Sequence, residues 1–286
     1  MVIDADWNLL PPSEKARTLS EFAQKAIREG NYQLAYGYYT QSLKLYRGLE
    51  DHPNTLRCLI RISSLAGRAD FRDGLGILTR HRLLEEEAIS LAREIGDNKL
   101  LAEALCAFAT AGISEQATAM LEEAIALAEA SGDKGTQARA LARLALTLAK
   151  GKDEDRSRRL NEQALQLYEE IGDKRGIAST LFSISSDLRG AVKRAMLERA
   201  LELQRELGAK MRMAEILMVL EWDCDRQDLD RREALNLEVV ALCREFGSPI
   251  WEADALMNLA EVARARGDEA QAEELERESR SLEAFI

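Results

Sequence analysis

Apolar residues recur along most of this chain at the three- and four-residue spacing of an α-helix. In the repeated segment an alanine stands eight residues before a glycine and a leucine five before it, and further apolar residues follow the glycine at six, nine and twelve positions. The alanine position is occupied by Ala88, Ala124, Ala164, Ala200 and, in a fifth copy, Val239. No stretch alternates between apolar and polar residues for long enough to indicate a β-strand. The pattern therefore predicts a chain built from helices.

A glycine followed by a short, mostly polar residue ends each of these segments. The junction glycines are Gly96, Gly132, Gly172, Gly208 and Gly247, with spacings of 36, 40, 36 and 39 residues. Glycine readily adopts the left-handed conformation that closes a helix, and an Asp or Ser behind it can cap the next one. Glu50 and Asp51 occupy the same place upstream, because SLKLY before them matches ALQLY before Gly172. One helix should therefore end and the next begin with almost no loop.

Each repeat is predicted to be a hairpin of two antiparallel helices, here called A and B. One such hairpin cannot bury both of its apolar faces, so successive copies must stack into a solenoid. An N-terminal arm, residues 1–12, precedes a single solenoid over residues 13–286. Its seven hairpins are predicted at 13–51, 52–98, 99–133, 134–173, 174–209, 210–248 and 249–286. The two 36-residue units lack about one helical turn around Gly112 and Gly190, which should shorten helix A or B there.

Small residues at fixed places carry a resemblance to a known family. They stand thirteen positions after the glycine, at Ala109, Ala145, Ser185 and Ala260, and in pairs on helix B such as Ala117 with Ala124. In these features residues 13–286 resemble the tetratricopeptide repeat (TPR) family, in its longer class of about 36–40 residues per unit. The richness of the repeats in Ala and Arg is similar to that of bacterial regulatory repeats. The resemblance implies an all-α, right-handed superhelical solenoid whose A helices line a concave groove.

Several polar residues depart from the family pattern. A large apolar residue is usual at the helix B positions that hold Glu85, Asn161, Asn236 and Glu276, and Gly or Ala is usual at Glu221. We expect irregular stacking at these units, with charged side chains laying their stems along apolar surface.

The resemblance also implies which residues face the groove, namely those seven, ten, fourteen and seventeen positions after each junction glycine. Cys106 falls at one such position. The candidate peptide-binding residues are Arg139, Leu146, Phe182, Arg189, Met218, Trp222, Met257, Asn258 and Arg264. A carboxylate clamp of the family type is incomplete, since Arg139 and Arg143 have no Asn beside them, and Asn258 alone does not make an asparagine ladder. The apolar candidates would suit a partner with apolar anchors.

Core and groove remain alternatives for some of these side chains. Phe182 and Met218 fit both equally well, whereas Trp222 stands between two acidic residues and is expected to be partly exposed and to bind. The insertion from Phe71 to Thr79 is expected to be a packed connection, with a recognition loop as its alternative. The arm, with Trp7, Leu9 and Leu10, should pack on the first helices, and Phe285 and Ile286 should cover the open end of the core.

Composition excludes several functions. A formal net charge of −11 disfavours nucleic acid as a partner. No apolar run approaches the roughly 20 residues of a membrane-spanning helix, and the acidic N-terminus is unlike a signal peptide. The four cysteines form no CxxC pair and there are two histidines, so neither a disulfide framework nor a metal site is expected, and a reducing, cytoplasmic setting fits best. No nucleophile and base pair is recognisable, so we expect no cofactor and no enzymatic activity.

The charge is unevenly distributed. Residues 134–199 carry +5, residues 200–286 carry −10 and residues 1–133 carry −6. The cations Arg156, Arg158, Arg159, Lys193 and Arg194 form a basic segment that would suit an acidic partner, or the acidic end of a second copy, unless it is simply a solvated helix face.

These observations predict a non-catalytic protein–protein interaction adaptor that binds a peptide or helix in the concave groove. One alternative is a TPR-based signalling regulator that senses peptides or acts on response regulators, although the first 50 residues look like another repeat rather than an added helical bundle. Another is a scaffold that self-assembles, for instance as a homodimer through its terminal helices.

Overall fold

The computed structural model describes residues 5–28, 31–66, 74–109, 115–150 and 153–283. Within these ranges the chain forms fourteen α-helices and one short 3-10 helix, Ala5–Leu9, and no β-strand. The all-α prediction is confirmed. None of the described helices is long and apolar enough to cross a membrane.

Contacts between residues divide the chain into two compact units, Met1–Leu160 and Asn161–Ile286. In the first unit consecutive helices pack against one another, and the third and fifth helices are also in contact. Its helices are α1 Pro12–Arg28, α2 Tyr32–Gly48, α3 His52–Ala66, α4 Gly74–Ile95, α5 Asn98–Phe108, α6 Glu115–Ala130 and α7 Lys134–Lys150, followed by the first part of α8 Glu154–Ile171.

The second unit repeats this hairpin construction. It contains the rest of α8 and then α9 Lys174–Ser185, α10 Gly190–Glu206, α11 Lys210–Trp222, α12 Leu229–Phe246, α13 Pro249–Ala265 and α14 Glu269–Glu283. From α9 onwards each helix packs on the next. Consecutive helices pack as hairpins, α1 with α2, α3 with α4 and α5 with α6 in the first unit, and α9 with α10, α11 with α12 and α13 with α14 in the second. The division into seven hairpins stays a prediction, and α5 begins one residue before its predicted boundary, at Asn98. The two short units shorten helix A, because α5 has 11 residues and α9 has 12.

The junctions between hairpins have the predicted geometry. All five junction glycines have positive φ angles, between 63° at Gly208 and 77° at Gly247. After Gly172 the carboxylate of Asp173 accepts hydrogen bonds from the first backbone N–H groups of α9. At the upstream junction Glu50 takes the same left-handed conformation, with φ 56°, although it is not a glycine. The junction glycines and the residues that follow them therefore mark the helix ends correctly.

The core lies between the helices of each hairpin and between neighbouring hairpins of a unit. The alanine position eight residues before each glycine is fully buried, as at Ala124 and Ala200. The three apolar positions after each glycine are buried too, for example Ala102, Leu105 and Phe108 in α5. Small residues allow the paired helices to approach closely, and the larger ones fill the space between hairpins.

Two expectations about the irregular pieces need correction. Leu9 is 82% exposed, so the expectation that the arm packs on the first helices is wrong for this residue, whereas Trp7 and Leu10 are half-buried. Lys15 donates a hydrogen bond to the carbonyl of Asn8. Residues 74–79 of the predicted insertion belong to the first turns of α4 rather than to a connection. The remainder of that insertion, residues 71–73, and the tail 284–286 lie outside the described residues, as does Gly112.

Candidate functional site

One face of the A helices in the second unit remains accessible, as the repeat spacing predicts. In α9, α11 and α13 the residues seven, ten and fourteen positions after the junction glycine are exposed or half-buried. They are Ser179, Phe182 and Ser186, then Glu215, Met218 and Trp222, then Asp254, Met257 and Glu261. Positions six, nine and twelve on the same helices are buried, because they point into the helical core at the 3.6-residue period.

Trp222 dominates this accessible face. It is the last residue of α11, and its side chain is 75% exposed. The guanidinium carbon of Arg226 lies 5.9 Å from the centre of the indole ring, and the same guanidinium is 3.7 Å from a carboxylate oxygen of Glu261. Met257 is 41% exposed. A flat aromatic ring with a cation over it and a flexible thioether on the same set of helices offers a large apolar contact area with a charged rim.

A buried ion pair links α11 to α12 next to this tryptophan. The Nε of Arg232 donates to Glu221 at 2.8 Å, and both side chains are 4% exposed. A second guanidinium nitrogen donates to Glu261 of α13 at 3.1 Å. Burial alone would lower the pKa of Arg232, but its hydrogen bonds to Glu221 and Glu261 outweigh burial and raise that pKa. The arginine therefore stays charged and ties three helices together around the end of α11.

Asn258 takes part in this support rather than in the open face. Its side-chain amide donates to Asn236 Oδ1 at 3.3 Å, and Asn236 donates in turn to the carbonyl of Arg232 at 2.9 Å. Asn236 is fully buried and Asn258 half-buried. This hydrogen bond directs the amide of Asn258 towards α12, and its role as a groove residue stays a prediction.

The two arginine candidates of the second unit differ from each other. The Arg264 guanidinium pairs with Glu276 at 2.6 Å and with Glu269 at 3.3 Å, so its charge is committed to α14. Its hydrogen bond is also the main reason why the pKa of Glu276 is lowered. Arg189 is exposed just before α10 and makes no side-chain cap there. Phe182 and Met218 are half-buried, so each contributes partly to the core and partly to the face.

The remaining candidates belong to the first unit. Arg139 and Leu146 are both exposed and lie two turns apart on α7. Between them, Arg143 donates to the backbone carbonyls of Cys106 and Ala107, where α5 ends. Cys106 itself is fully buried, so its predicted place in the groove is wrong. The truncated helix A of that hairpin ends at residue 108, and its last carbonyls accept from Arg143 instead.

The predicted basic segment is partly neutralised. Arg156 pairs with Glu122 at 2.6 Å within the first unit. Lys193, in the second unit, is buried and pairs with Asp223 at 3.1 Å. Arg158 also lies 3.9 Å from Asp155, one turn away on α8. Three of the five cations are therefore already paired within the protein.

The cysteine thiols of the described residues are held in their protonated form. Burial raises the pKa of every cysteine thiol, reaching about 11 at Cys243, where Glu252 adds to the effect. These thiols are therefore protonated at neutral pH and weak as nucleophiles. Over the described part of the chain, no group of three or more His, Cys, Asp or Glu residues is arranged to hold a metal ion.

Sequence reasoning missed Arg226 and Arg232, the two residues that organise the surroundings of Trp222. Glu221 stood out as a departure from the family pattern, which was the available signal. A carboxylate at a buried position calls for a cation nearby. Choosing Arg232 among several arginines required the packing of α12 on α11.

No protein-family model matches the sequence, and neither does any curated protein sequence. Among solved structures, a Rap protein complexed with competence and sporulation factor aligns with 99% of this chain and 78% of its own, at a TM-score of 0.67 and 13% identity. The apo form of RapI aligns with 94% of this chain and 97% of its own, at a TM-score of 0.45 and 10% identity. A signal transduction ATPase with a tetratricopeptide repeat sensor, from Pyrococcus horikoshii, aligns with 95% of this chain and 36% of its own, at a TM-score of 0.48 and 14% identity.

Proposed function

We propose that this chain, which has the fold of a TPR-like helical solenoid, is a non-catalytic adaptor. It binds a protein or peptide segment against the accessible face of α9, α11 and α13. The observation that carries this proposal is the exposure of Trp222, at 75%, on the same face as Met257. A tryptophan held this far out of the core contributes little to folding, whereas aromatic anchors dominate the energetics of protein interfaces.

The buried network beside Trp222 supports the same proposal. Arg232, Glu221 and Glu261 fix the end of α11 against α12 and α13, so the ring stands on a rigid platform. A preorganised anchor loses less conformational entropy on binding than a mobile one. The partner we propose presents apolar anchors. An acidic partner rests only on the basic segment, whose Arg156 and Lys193 are already paired.

A signalling regulator is the second candidate, and the likeness to a Rap protein favours it. That protein was solved in complex with competence and sporulation factor, and its fold matches nearly the whole of this chain. Under this candidate the same face would bind a signalling peptide, and a further surface would act on a response regulator.

The proposal can be tested with peptides selected from a random library on the wild-type chain. The variant Trp222→Ala/Met257→Ala should bind the selected peptides about thirtyfold more weakly, since an interface anchor contributes about 2 kcal/mol or more. The matched control is Leu237→Ala/Ile250→Ala, which removes two similarly exposed apolar side chains, 54% and 53% exposed, from other positions of the same unit. Affinities are measured by calorimetry and the stability of both variants by urea denaturation.

Three results would overturn the proposal. One is equal loss of affinity in the control variant, which would mean that any exposed apolar residue suffices. Another is a large drop in the stability of the Trp222 variant, which would assign the ring to the core. The third is full affinity for the Trp222 variant but not for the control, which would place the site elsewhere.

A further inference from the structure

A cleft of about 420 Å³ lies in the first unit, between the junction that joins α2 to α3 and the helix α4. Its volume is within the range of small-ligand sites in proteins. Its lining includes the polar residues Glu50, Thr55, Glu87, Ser90 and Glu94, and the apolar residue Leu91. All of these residues belong to one compact unit, far in sequence from the face around Trp222.

The cleft carries uncompensated negative charge. The guanidinium of Arg47 forms two hydrogen bonds to the carboxylate of Glu87, at 2.5 and 2.6 Å, which cancels that charge. The side chains of Glu50 and Glu94 make no hydrogen bond or ion pair with any residue in the described ranges. Two carboxylates are therefore left to interact with whatever enters the cleft.

The hydroxyl of Thr55 lines the same cleft and also lacks a protein partner. Thr55 is 6% exposed, and its side chain forms no hydrogen bond within the described part of the protein. The hydroxyl is therefore open to a ligand that enters the cleft. An oxygen in this place accepts a hydrogen bond from an N–H donor.

Glu50 also occupies its position against the preference of the backbone. The five other junctions between hairpins place a glycine in the left-handed conformation, whereas here a glutamate adopts it with φ 56°. A side chain is disfavoured in this conformation. What Glu50 adds over glycine is a carboxylate at the edge of the cleft.

We propose that this cleft binds an organic cation, an ammonium or guanidinium group of the size of a lysine or arginine side chain. Glu50 and Glu94 accept its N–H groups and offset its charge, as carboxylates do for guanidinium groups elsewhere. The hydroxyls of Thr55 and Ser90 accept the remaining N–H groups, and Leu91 contacts the alkyl stem. The same chemistry is found in a free amine and in a basic side chain of a peptide.

Calorimetric titration of the full chain tests this assignment with three probes. They are free arginine, a capped Gly-Arg-Gly peptide and a capped Gly-Gln-Gly peptide of matched length. Free arginine and Gly-Arg-Gly should bind at one saturable site, and Gly-Gln-Gly should not. Tighter binding of Gly-Arg-Gly identifies a peptide side chain as the ligand, and tighter binding of free arginine identifies a small amine.

Three variants locate the site. Glu94→Gln and Glu50→Gly should each weaken binding about fivefold, the upper range for a partly exposed charge pair. Glu50→Gly relieves the left-handed backbone, so its urea midpoint should not fall and a loss of binding cannot be ascribed to unfolding. The control Glu129→Gln removes the same charge from an exposed position on α6 and should bind as the wild type does.

The proposal fails if neither arginine probe saturates the wild-type chain at about 10 mM, a concentration that detects binding free energies of a few kcal/mol. It also fails if Gly-Gln-Gly binds equally well, or if Glu129→Gln weakens binding as much as Glu94→Gln does. The last result would mean that the acidic protein attracts cations without a defined site.

Discussion

At the scale of single residues, the stability of the second unit depends on the buried ion pair between Arg232 and Glu221. Arg232 and Glu221 are both 4% exposed and lie 2.8 Å apart. A buried ion pair gains little over an apolar pair of similar volume, but removal of one member leaves the other charge buried and unpaired. Glu261 keeps one contact with the arginine and is itself exposed, so it offsets only part of such a loss.

We therefore expect Glu221→Ala and Arg232→Ala each to lower the free energy of unfolding by about 3–5 kcal/mol. The double variant Glu221→Leu/Arg232→Met should be far less destabilised than the sum of the two, because no charge is left behind. Urea denaturation of the three variants measures this. Additive losses would show that the two side chains act independently.

The candidate site was only partly predictable at this scale. The resemblance to the TPR family implied that Trp222 and Met257 lie on the groove face of their helices, and both side chains are exposed. It failed for Cys106, which is fully buried within α5 beside Arg143 of α7, the donor to its backbone carbonyl. Nor did the sequence predict the hydrogen bond from Asn258 to Asn236 in a different helix. Such contacts arise from packing between helices and leave no periodic trace in the sequence.

At the scale of helices, most helix ends were predicted correctly, because each end is determined by a few neighbouring residues. A glycine with positive φ closes one helix and the following Asp caps the next, so the signal spans only a few residues. The caps are nevertheless unequal. The carboxylate of Asp173 accepts from the N–H groups of Arg175 and Gly176, whereas Ser248 makes no side-chain cap before α13.

This inequality predicts different costs at equivalent positions. Asp173→Ala should lower the free energy of unfolding by about 1 kcal/mol, because the first turn of α9 loses its acceptor. Ser248→Ala should change it by no more than a few tenths of a kcal/mol, since there is no cap bond to lose. Equal effects in urea denaturation would show that the Asp acts through its charge or through the unfolded state rather than as a cap.

At the scale of the whole molecule, the repeat produces a series of ion pairs between consecutive hairpins. Their partners are about one repeat apart along the chain, as in Arg156 with Glu122 in the first unit and Arg205 with Glu238 in the second. Most of these side chains are about half exposed, so each pair contributes between 0 and about 1 kcal/mol. The acidic excess of the chain makes their carboxylates the groups through which pH acts on stability.

Acid should therefore destabilise the protein well before it reaches the pH at which all carboxylates are protonated. Burial would raise the pKa of Asp133, but hydrogen bonds from the backbone and hydroxyl of Thr136, together with the nearby Lys99, outweigh burial and lower that pKa below 3.8. A group with a lowered native pKa stabilises the fold above its unfolded pKa and loses this contribution as pH falls through the native value. The free energy of unfolding should thus stay level from pH 8 to about 5.5 and fall steadily below about 4.5.

Asp133→Asn isolates one such contribution. The variant should be up to about 1 kcal/mol less stable than the wild type at pH 7, because the neutral amide loses the attraction of Lys99. The two curves should converge as the pH falls through the native pKa of Asp133. Urea denaturation at a series of pH values gives both curves, and Glu129→Gln serves as the control that removes an equal charge from a site without a cap bond. If the difference between wild type and Asp133→Asn persisted unchanged into acid, shape rather than ionisation would account for the role of Asp133. If Glu129→Gln converged in the same way, the acid response would come from the net charge of the whole chain and not from the carboxylate that caps α7.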